Sequence, residues 1–242
     1  MLLQPMHTFP DCLRSPIPTT LYHRFREREH AEAFLEEGRI LIRNLHHHRG
    51  VEREADHRVD PIEGMFQMNW SGESRPQLHM EVDGKYIPLG LVTEINRDIL
   101  SPESYFPCCF SKQRNQVQDQ YGGYLVKICD PTELINMMTN GVISQKHFCW
   151  GDVRYYDETG ESDLSILIDV ISGKVPIWMV KRDRFRHEEE FRFLMTRGDV
   201  DRLQQMGGGG VNNFATVEEW QKKLNFILVI GDLRKIAVLE TE

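Results

Sequence analysis

The side chains of this chain best suited to chemistry are two carboxylates near residue 190. In HEEEFRF the alternation of a β-strand would put Glu188, Glu190 and Arg192 on one face, with Phe191 and Phe193 on the other. Neighbouring negative charges raise the free energy of both ionised carboxylates, and one arginine offsets only part of that repulsion. Such a face suits a general base or an electrostatic stabiliser, although a solvated strand face with a surface ion pair has the same sequence.

Two further groups of polar residues lie on predicted strands. Tyr22, His23 and Arg24 belong to the first of these strands, just before a helix. An arginine there could hold a phosphate through two parallel hydrogen bonds, and a tyrosine could stack on a ring. Ser111 ends the apolar strand SYFPCCFS, but no GxSxG elbow supports a nucleophilic serine. Each group is also compatible with a structural role alone.

The polar stretch of residues 46–64 gives a weaker indication of metal binding. Its three histidines, 46–48, are consecutive and the HExxH spacing is absent, which favours a surface loop. Asp60 and Glu63 belong to the turn DPIEG and could bind a cation or orient a partner group.

The elements that position these residues alternate irregularly between strands and helices. The sequence predicts a strand over Leu21–Phe25, then a helix that buries Ala31, Phe34 and Leu35 and stops at Gly38. A strand, RILIRNL, follows. Hairpins are frequent, and no GxGxxG or Walker loop follows a strand. This pattern favours an α+β fold with a mainly antiparallel mixed sheet and peripheral helices.

Later segments continue the same pattern. Asp83-Gly84 predicts a hairpin, and Gly207–Gly210 predicts a mobile loop because four glycines do not fix a backbone. The other predicted elements are the strands YGGYLVKI, GVISQKHFCW, VRYY, NFILVIG and KIAVLE, and the helices DPTELINMMTNG, Ser162–Ser172 and Val217–Leu224.

The bulk composition predicts a globular protein of one domain. The chain has 242 residues, 40% of them hydrophobic and 27% charged, which is ordinary for a globular domain. Residues 1–20 contain four prolines and predict an irregular lead-in, so that residues 21–242 form the single domain.

Hydropathy, cysteine content and net charge indicate the cellular compartment of the protein and the classes of partner that it can bind. There is no apolar run of membrane-spanning length and no signal-peptide pattern, which predicts a cytoplasmic protein without a membrane partner. Five cysteines without a CxxC pair predict reduced, mostly buried thiols. The net charge of −8 disfavours broad coating of nucleic acid, although a local basic patch can override an average.

Five short motifs, in order, resemble a large uncharacterised bacterial family. That family has an LYxY-like strand, a DPxEG turn, a CFS strand, a segment K…W/F-x-x-E-x-E-aromatic-R and a terminal I-x-x-aliphatic-x-G. The matching segments here are Leu21–Phe25, Asp60–Gly64, Cys109–Ser111, Lys181–Arg192 and Ile227–Gly231. The resemblance covers roughly Thr20 to Glu242. Val59 replaces the asparagine that precedes the family's Asp-Pro, and Gln118–Gly122 departs from its tryptophan-tyrosine pattern.

The same order of motifs also resembles the ADP-ribosyltransferase superfamily, whose members use NAD. The resemblance implies that His23 or Arg24 holds the ribose or a phosphate, that Ser111 braces the site, and that Tyr22 stacks on nicotinamide. It implies Glu190 as the catalytic carboxylate and Glu188 as the upstream acid, while Arg192 lies on the same face. The implied activity is ADP-ribosyl transfer to a protein or nucleic-acid acceptor, or NAD hydrolysis, in a toxin or a phage-defence effector.

Two other classes of function remain open. A metal-dependent nuclease or phosphodiesterase could use Asp60, Glu63, Glu188 and Glu190 with Lys181 to hold Mg²⁺ against a phosphate. A non-catalytic module could recognise a nucleotide or a protein through the same cleft. The negative net charge counts against the nuclease, and an ExE pair without a DxK-type partner favours the transferase.

Overall fold

The structure is a computed structural model, and its described residues form an α+β protein. They are residues 14–43, 65–69, 77–82, 85–91, 94–98, 105–114, 123–139, 149–157, 164–171, 174–196 and 225–240. The predictions for residues 46–64, 207–213 and 217–224 lie outside them.

Strands make up most of the described chain. They are β1 (Leu21–Phe25), β2 (Arg39–Arg43), β3 (Met65–Asn69), β4 (Gln77–Val82), β5 (Lys85–Leu91), β6 (Glu94–Asp98), β7 (Tyr105–Ser111), β8 (Tyr124–Ile128), β9 (Cys149–Asp152), β10 (Arg154–Tyr156), β11 (Val180–Arg182), β12 (Glu190–Thr196), β13 (Asn225–Val229) and β14 (Ala237–Glu240). The α-helices are α1 (Arg28–Glu37), α2 (Pro131–Thr139) and α3 (Leu164–Ile171), and 3₁₀ turns cover Ile177–Met179 and Asp183–Glu188.

A six-stranded antiparallel sheet in the order β14-β8-β1-β7-β12-β9 is the centre of the fold. Smaller antiparallel pairs join β13 to β2, β3 to β6 and β4 to β5, while β10 and β11 pair in parallel. The prediction of a mainly antiparallel α+β protein is therefore confirmed.

One face of the six-stranded sheet, here the core face, packs against α1, α2 and the β2–β13 pair. The buried cluster on this side includes Leu21 of β1, Phe110 of β7 and Phe193 of β12, with Phe34 of α1 and Leu134 of α2. Because side chains alternate along a strand, the residues between them point to the opposite face. That opposite face carries Tyr22, Arg24, Ser111, Glu190 and Arg192, and we call it the polar face.

Helix α1 shows how local sequence fixes the start of the fold. Ala31, Phe34 and Leu35 are buried on one side of α1, as predicted. The helix ends at Gly38, whose φ of 63° is left-handed, and its amide donates to the Phe34 carbonyl at 3.0 Å. The chain then enters β2, which pairs with β13 rather than with β1, so the strand-helix-strand opening is divided between two sheets.

Other local predictions are also confirmed. Strands β4 and β5 pair in antiparallel fashion, with Val82 opposite Lys85. Asp130 caps α2 by accepting a hydrogen bond from the Glu133 amide at 2.9 Å. Within the described parts of the chain, every helix is too short or too polar to span a bilayer.

The prediction that Glu188 lies on a strand with Glu190 is wrong. Glu188 ends the 3₁₀ turn Asp183–Glu188, Glu189 adopts a left-handed backbone with φ of 38°, and β12 begins at Glu190. The physical reason is local, because the Glu189 amide donates back to the Arg186 carbonyl at 3.1 Å and closes the turn. Glu188 therefore reaches the polar face from a turn rather than by strand alternation.

Candidate functional site

Three neighbouring strands bring three of the seven predicted site residues into one row. Tyr22 of β1 lies opposite Ser111 of β7, and Ser111 lies opposite Glu190 of β12. Arg192 follows Glu190 on the same face, two residues along β12. Residues far apart in sequence are thus one strand spacing apart, roughly 5 Å.

Glu190 and Arg192 form a buried, bidentate ion pair. The Arg192 Nε donates to Glu190 Oε1 at 2.6 Å, and Nη2 donates to Oε2 at 3.0 Å. The remaining nitrogen, Nη1, donates to the Trp178 carbonyl at 2.5 Å. Only 6% of the Glu190 side chain and 2% of the Arg192 side chain are exposed, so solvent screens this pair little.

Lys181 of β11 joins this pair to Glu188. Its Nζ lies 2.6 Å from Glu188 Oε2 and 3.4 Å from Glu190 Oε2. The same ammonium sits over the Phe185 ring, 4.7 Å from its centroid, and is itself buried. Glu188, at 14% exposure, is the more accessible of the two carboxylates.

The charges of these four side chains balance and keep Glu190 ionised. Burial by itself would raise the pKa of the Glu190 carboxyl, but the positive charges of Arg192 and Lys181 hold that pKa well below its ordinary value. A hydrogen bond from the side chain of Cys109 acts in the same direction. A carboxylate with a depressed pKa is a weak base, so Glu190 suits the role of a fixed negative charge.

Tyr155 of β10 is a site residue that the sequence did not indicate. Its hydroxyl accepts a hydrogen bond from the Glu190 amide at 2.8 Å. Burial raises the pKa of Tyr155 well above its ordinary value, and the charge of Glu190 adds to that rise, so the phenol stays protonated. Tyr155 lies beside Glu190 because β10 pairs in parallel with β11, with Tyr155 opposite Lys181. No local sequence pattern predicts that pairing.

His23 does not join the polar face. Its ring packs between those of Phe25, Phe34 and Phe110, with centroid distances of 4.7, 6.0 and 5.1 Å. The strand alternation that brings Tyr22 and Arg24 to the polar face sends His23 to the core face. Desolvation lowers the pKa of His23 to about 4, which keeps the ring neutral.

Ser111 braces the end of β7. Its hydroxyl donates to the Gln113 carbonyl at 2.9 Å and accepts from the Gln113 amide at 3.2 Å. These two bonds close a tight turn directly after the strand, which is the pattern of a serine that stabilises its own loop. The hydroxyl is thereby committed to the backbone rather than activated by a base.

The described cysteines are free thiols, as predicted. Cys108 and Cys149 are buried, Cys109 is half-buried and Cys129 is exposed. Burial raises the pKa of the Cys108 thiol to about 12, and the charge of Glu190 contributes to that shift, so this thiol is unreactive.

The described residues include no group of three or more His, Cys, Asp or Glu side chains placed to hold a metal ion. Asp60 and Glu63, which the nuclease hypothesis requires, lie outside the described residues. The polar face places two carboxyl groups near a tyrosine, and Lys181 and Arg192 contact those carboxyl groups.

No family model, curated protein or solved structure matches this chain.

Proposed function

We propose that the protein cleaves the nicotinamide–ribose bond of NAD, as an NAD glycohydrolase or an ADP-ribosyltransferase. The observation that carries the proposal is the row of Tyr22, Ser111 and Glu190 on β1, β7 and β12. These are the first strand, the serine strand and the late glutamate strand, which line the NAD cleft in the superfamily that the chain resembles. They are widely separated in sequence and adjacent in the sheet, so the fold can present them together to one ligand.

The two carboxylates have different roles in this proposal. Breaking the bond builds positive charge on the ribose, and a fixed carboxylate nearby stabilises it. Glu190 is buried, ionised and held by Arg192 and Lys181, so it supplies negative charge without moving. Glu188 is more exposed and lies at the end of a turn, so it contacts the ribose directly.

The aromatic and cationic residues of β1 hold the rest of the ligand. Tyr22 is half-buried beside Ser111, two strands from Glu190, and can contact the part of the ligand that lies beyond the ribose. Arg24 lies on the same face, two residues further along β1, where its guanidinium can bind a phosphate. His23 has no part in the binding of NAD, because it lies in the core face.

The first experiment is an assay of nicotinamide release from NAD, with and without EDTA. We expect the wild-type protein to release nicotinamide in both conditions, because no step uses a metal. Glu188→Gln keeps the size of the side chain and removes its charge. We expect it to lower the rate by roughly a hundredfold, the scale on which a positioned charged group contributes to a transition state.

Glu29→Gln is the matched control for that assay. Glu29 is an exposed carboxylate in the first turn of α1, which packs on the core face, so the same change there should leave the rate as it is. The proposal would be wrong if the wild-type protein released no nicotinamide and NAD caused no shift in its melting temperature.

A further inference from the structure

Lys127 of β8 lies on the polar face, next to the row of site residues. It pairs in register with Tyr22 on one side and with Val238 of β14 on the other. Its side chain is half-buried, while Val238 is 48% exposed. The polar face is thus open to solvent beyond Lys127, at the β14 edge.

The positive charge of Lys127 is not compensated within the described part of the chain. No carboxylate there lies within ion-pair distance of its ammonium group. The acid of β14 on the same face, Glu240, pairs with Arg114 at 3.0 Å instead. A cation on a partly enclosed face attracts an anionic ligand, because water screens its charge less there than at a fully exposed position.

Lys127 lies beside a second polar group that can bind an anion. Tyr22 occupies the neighbouring position on β1, so its side chain lies on the same face of the sheet as that of Lys127. A phenol donates well to a phosphate oxygen, and an ammonium offers three donors. Arg24 adds a third positively polarised group to the same strand face.

We propose that Lys127 and Tyr22 bind the diphosphate of a dinucleotide whose reactive ribose lies at Glu188 and Glu190. This inference rests on the proposed function and adds a subsite to it. Lys127 and Glu190 are three strand spacings apart, roughly 14 Å between backbones. The ribose and phosphate of the ligand, together with the side chain of Lys127, can span the distance between the two backbones. The ligand would therefore run across β8, β1, β7 and β12.

The test is calorimetric titration of the intact protein with ADP-ribose and, separately, with inorganic pyrophosphate. Neither compound has a bond that the proposed reaction would break, so binding is measured apart from catalysis. We expect Lys127→Gln to weaken the binding of both by at least roughly tenfold, the usual scale for one charge-assisted hydrogen bond. Lys127→Arg, which keeps the charge, should stay within about threefold of wild type.

Lys174→Gln is the matched control, because Lys174 is 70% exposed and its ammonium pairs with Asp169 of α3 at 3.7 Å. It removes the same charge and should leave the affinity unchanged. The subsite would be refuted if Lys127→Gln bound ADP-ribose as tightly as wild type does, or if wild type bound neither compound. Each of these results is independent of nicotinamide release, which alone decides whether NAD is cleaved.

Discussion

At the scale of single residues, Glu190 and Arg192 depend on each other. Each is buried, and two hydrogen bonds join their charged groups, so the loss of Glu190 would leave the Arg192 charge in the interior without its carboxylate. We expect Glu190→Gln to lower the free energy of unfolding by about 3–5 kcal/mol, because Arg192 would remain buried with a neutral partner. Urea denaturation measures this directly.

Glu188→Gln provides the comparison for that measurement. Glu188 shares Lys181 with Glu190 but is more exposed, and its loss leaves Lys181 with a second carboxylate at 3.4 Å. We expect a loss of about 1 kcal/mol, the size of a partly exposed ion pair. If Glu190→Gln unfolded at the same urea concentration as Glu188→Gln, the pair would not be the structural centre of the site. Because Glu190→Gln is expected to destabilise the fold much more than Glu188→Gln, catalysis is better tested at Glu188.

At the scale of elements, the end of α1 packs closely against the segment that follows β13. Gly38 has a left-handed backbone, and a Cβ built on it would lie 2.4 Å from the Gly231 carbonyl oxygen and 2.6 Å from Ile230 Cγ1. Gly38 and the segment after β13 are also joined by a hydrogen bond from the Ile230 amide to the Gly38 carbonyl at 3.2 Å. A side chain at Gly38 would collide with backbone atoms of Gly231, and moving these atoms would cost free energy.

We therefore expect Gly38→Ala to lower the melting temperature by several degrees, with about 2 kcal/mol or more lost to the left-handed conformation and the clash. Gly123→Ala is the control, because a Cβ at Gly123 meets nothing within 4 Å. Differential scanning calorimetry of both variants tests this. Equal melting temperatures for the two would contradict the close approach of Gly38 to Gly231.

The elements also show where sequence patterns predict structure and where they do not. Helical spacing located the buried side of α1, and Asp130 marked the start of α2, because these features depend on neighbours within four residues. The strand predicted through Glu188 failed because one left-handed residue, Glu189, interrupts the alternation. Nothing in the residue types of HEEEF indicates that interruption.

At the scale of the whole molecule, long-range pairing decides which residues meet. Alternation could place Tyr22, Glu190 and Arg192 each on a strand face, but the sequence could not show that β7 lies between β1 and β12. For the same reason it could not bring Tyr155 to Glu190 or Lys127 to Tyr22. The sequence also could not show that His23 lies on the core face, because either face of β1 was open to it until the packing of α1 was known.

The free energy of unfolding of the whole molecule should fall as the pH is lowered. Two titrating groups on opposite faces of the sheet cause this, Glu190 and His23. The pKa of Glu190 is lowered on folding, so its contribution is complete above its unfolded pKa of about 4.5 and is lost as pH falls below that value. The pKa of His23 is also lowered, from 6.5 to about 4, so the unfolded chain binds the additional proton across that window. Stability therefore declines from pH 6.5 downwards, before Glu190 begins to titrate.

Replacement of His23 by phenylalanine isolates the upper part of this decline. His23→Phe keeps an aromatic ring among Phe25, Phe34 and Phe110 but removes the group that titrates. We expect its melting temperature to change little between pH 6.5 and 4.5, whereas that of the wild type falls steadily. His30→Gln, an exposed position on α1, should retain the wild-type slope. Desolvation is what lowers the pKa of the His23 imidazole below that of the unfolded chain. If His23→Phe kept the wild-type slope, the His23 imidazole of the wild-type protein would be hydrated in the folded state.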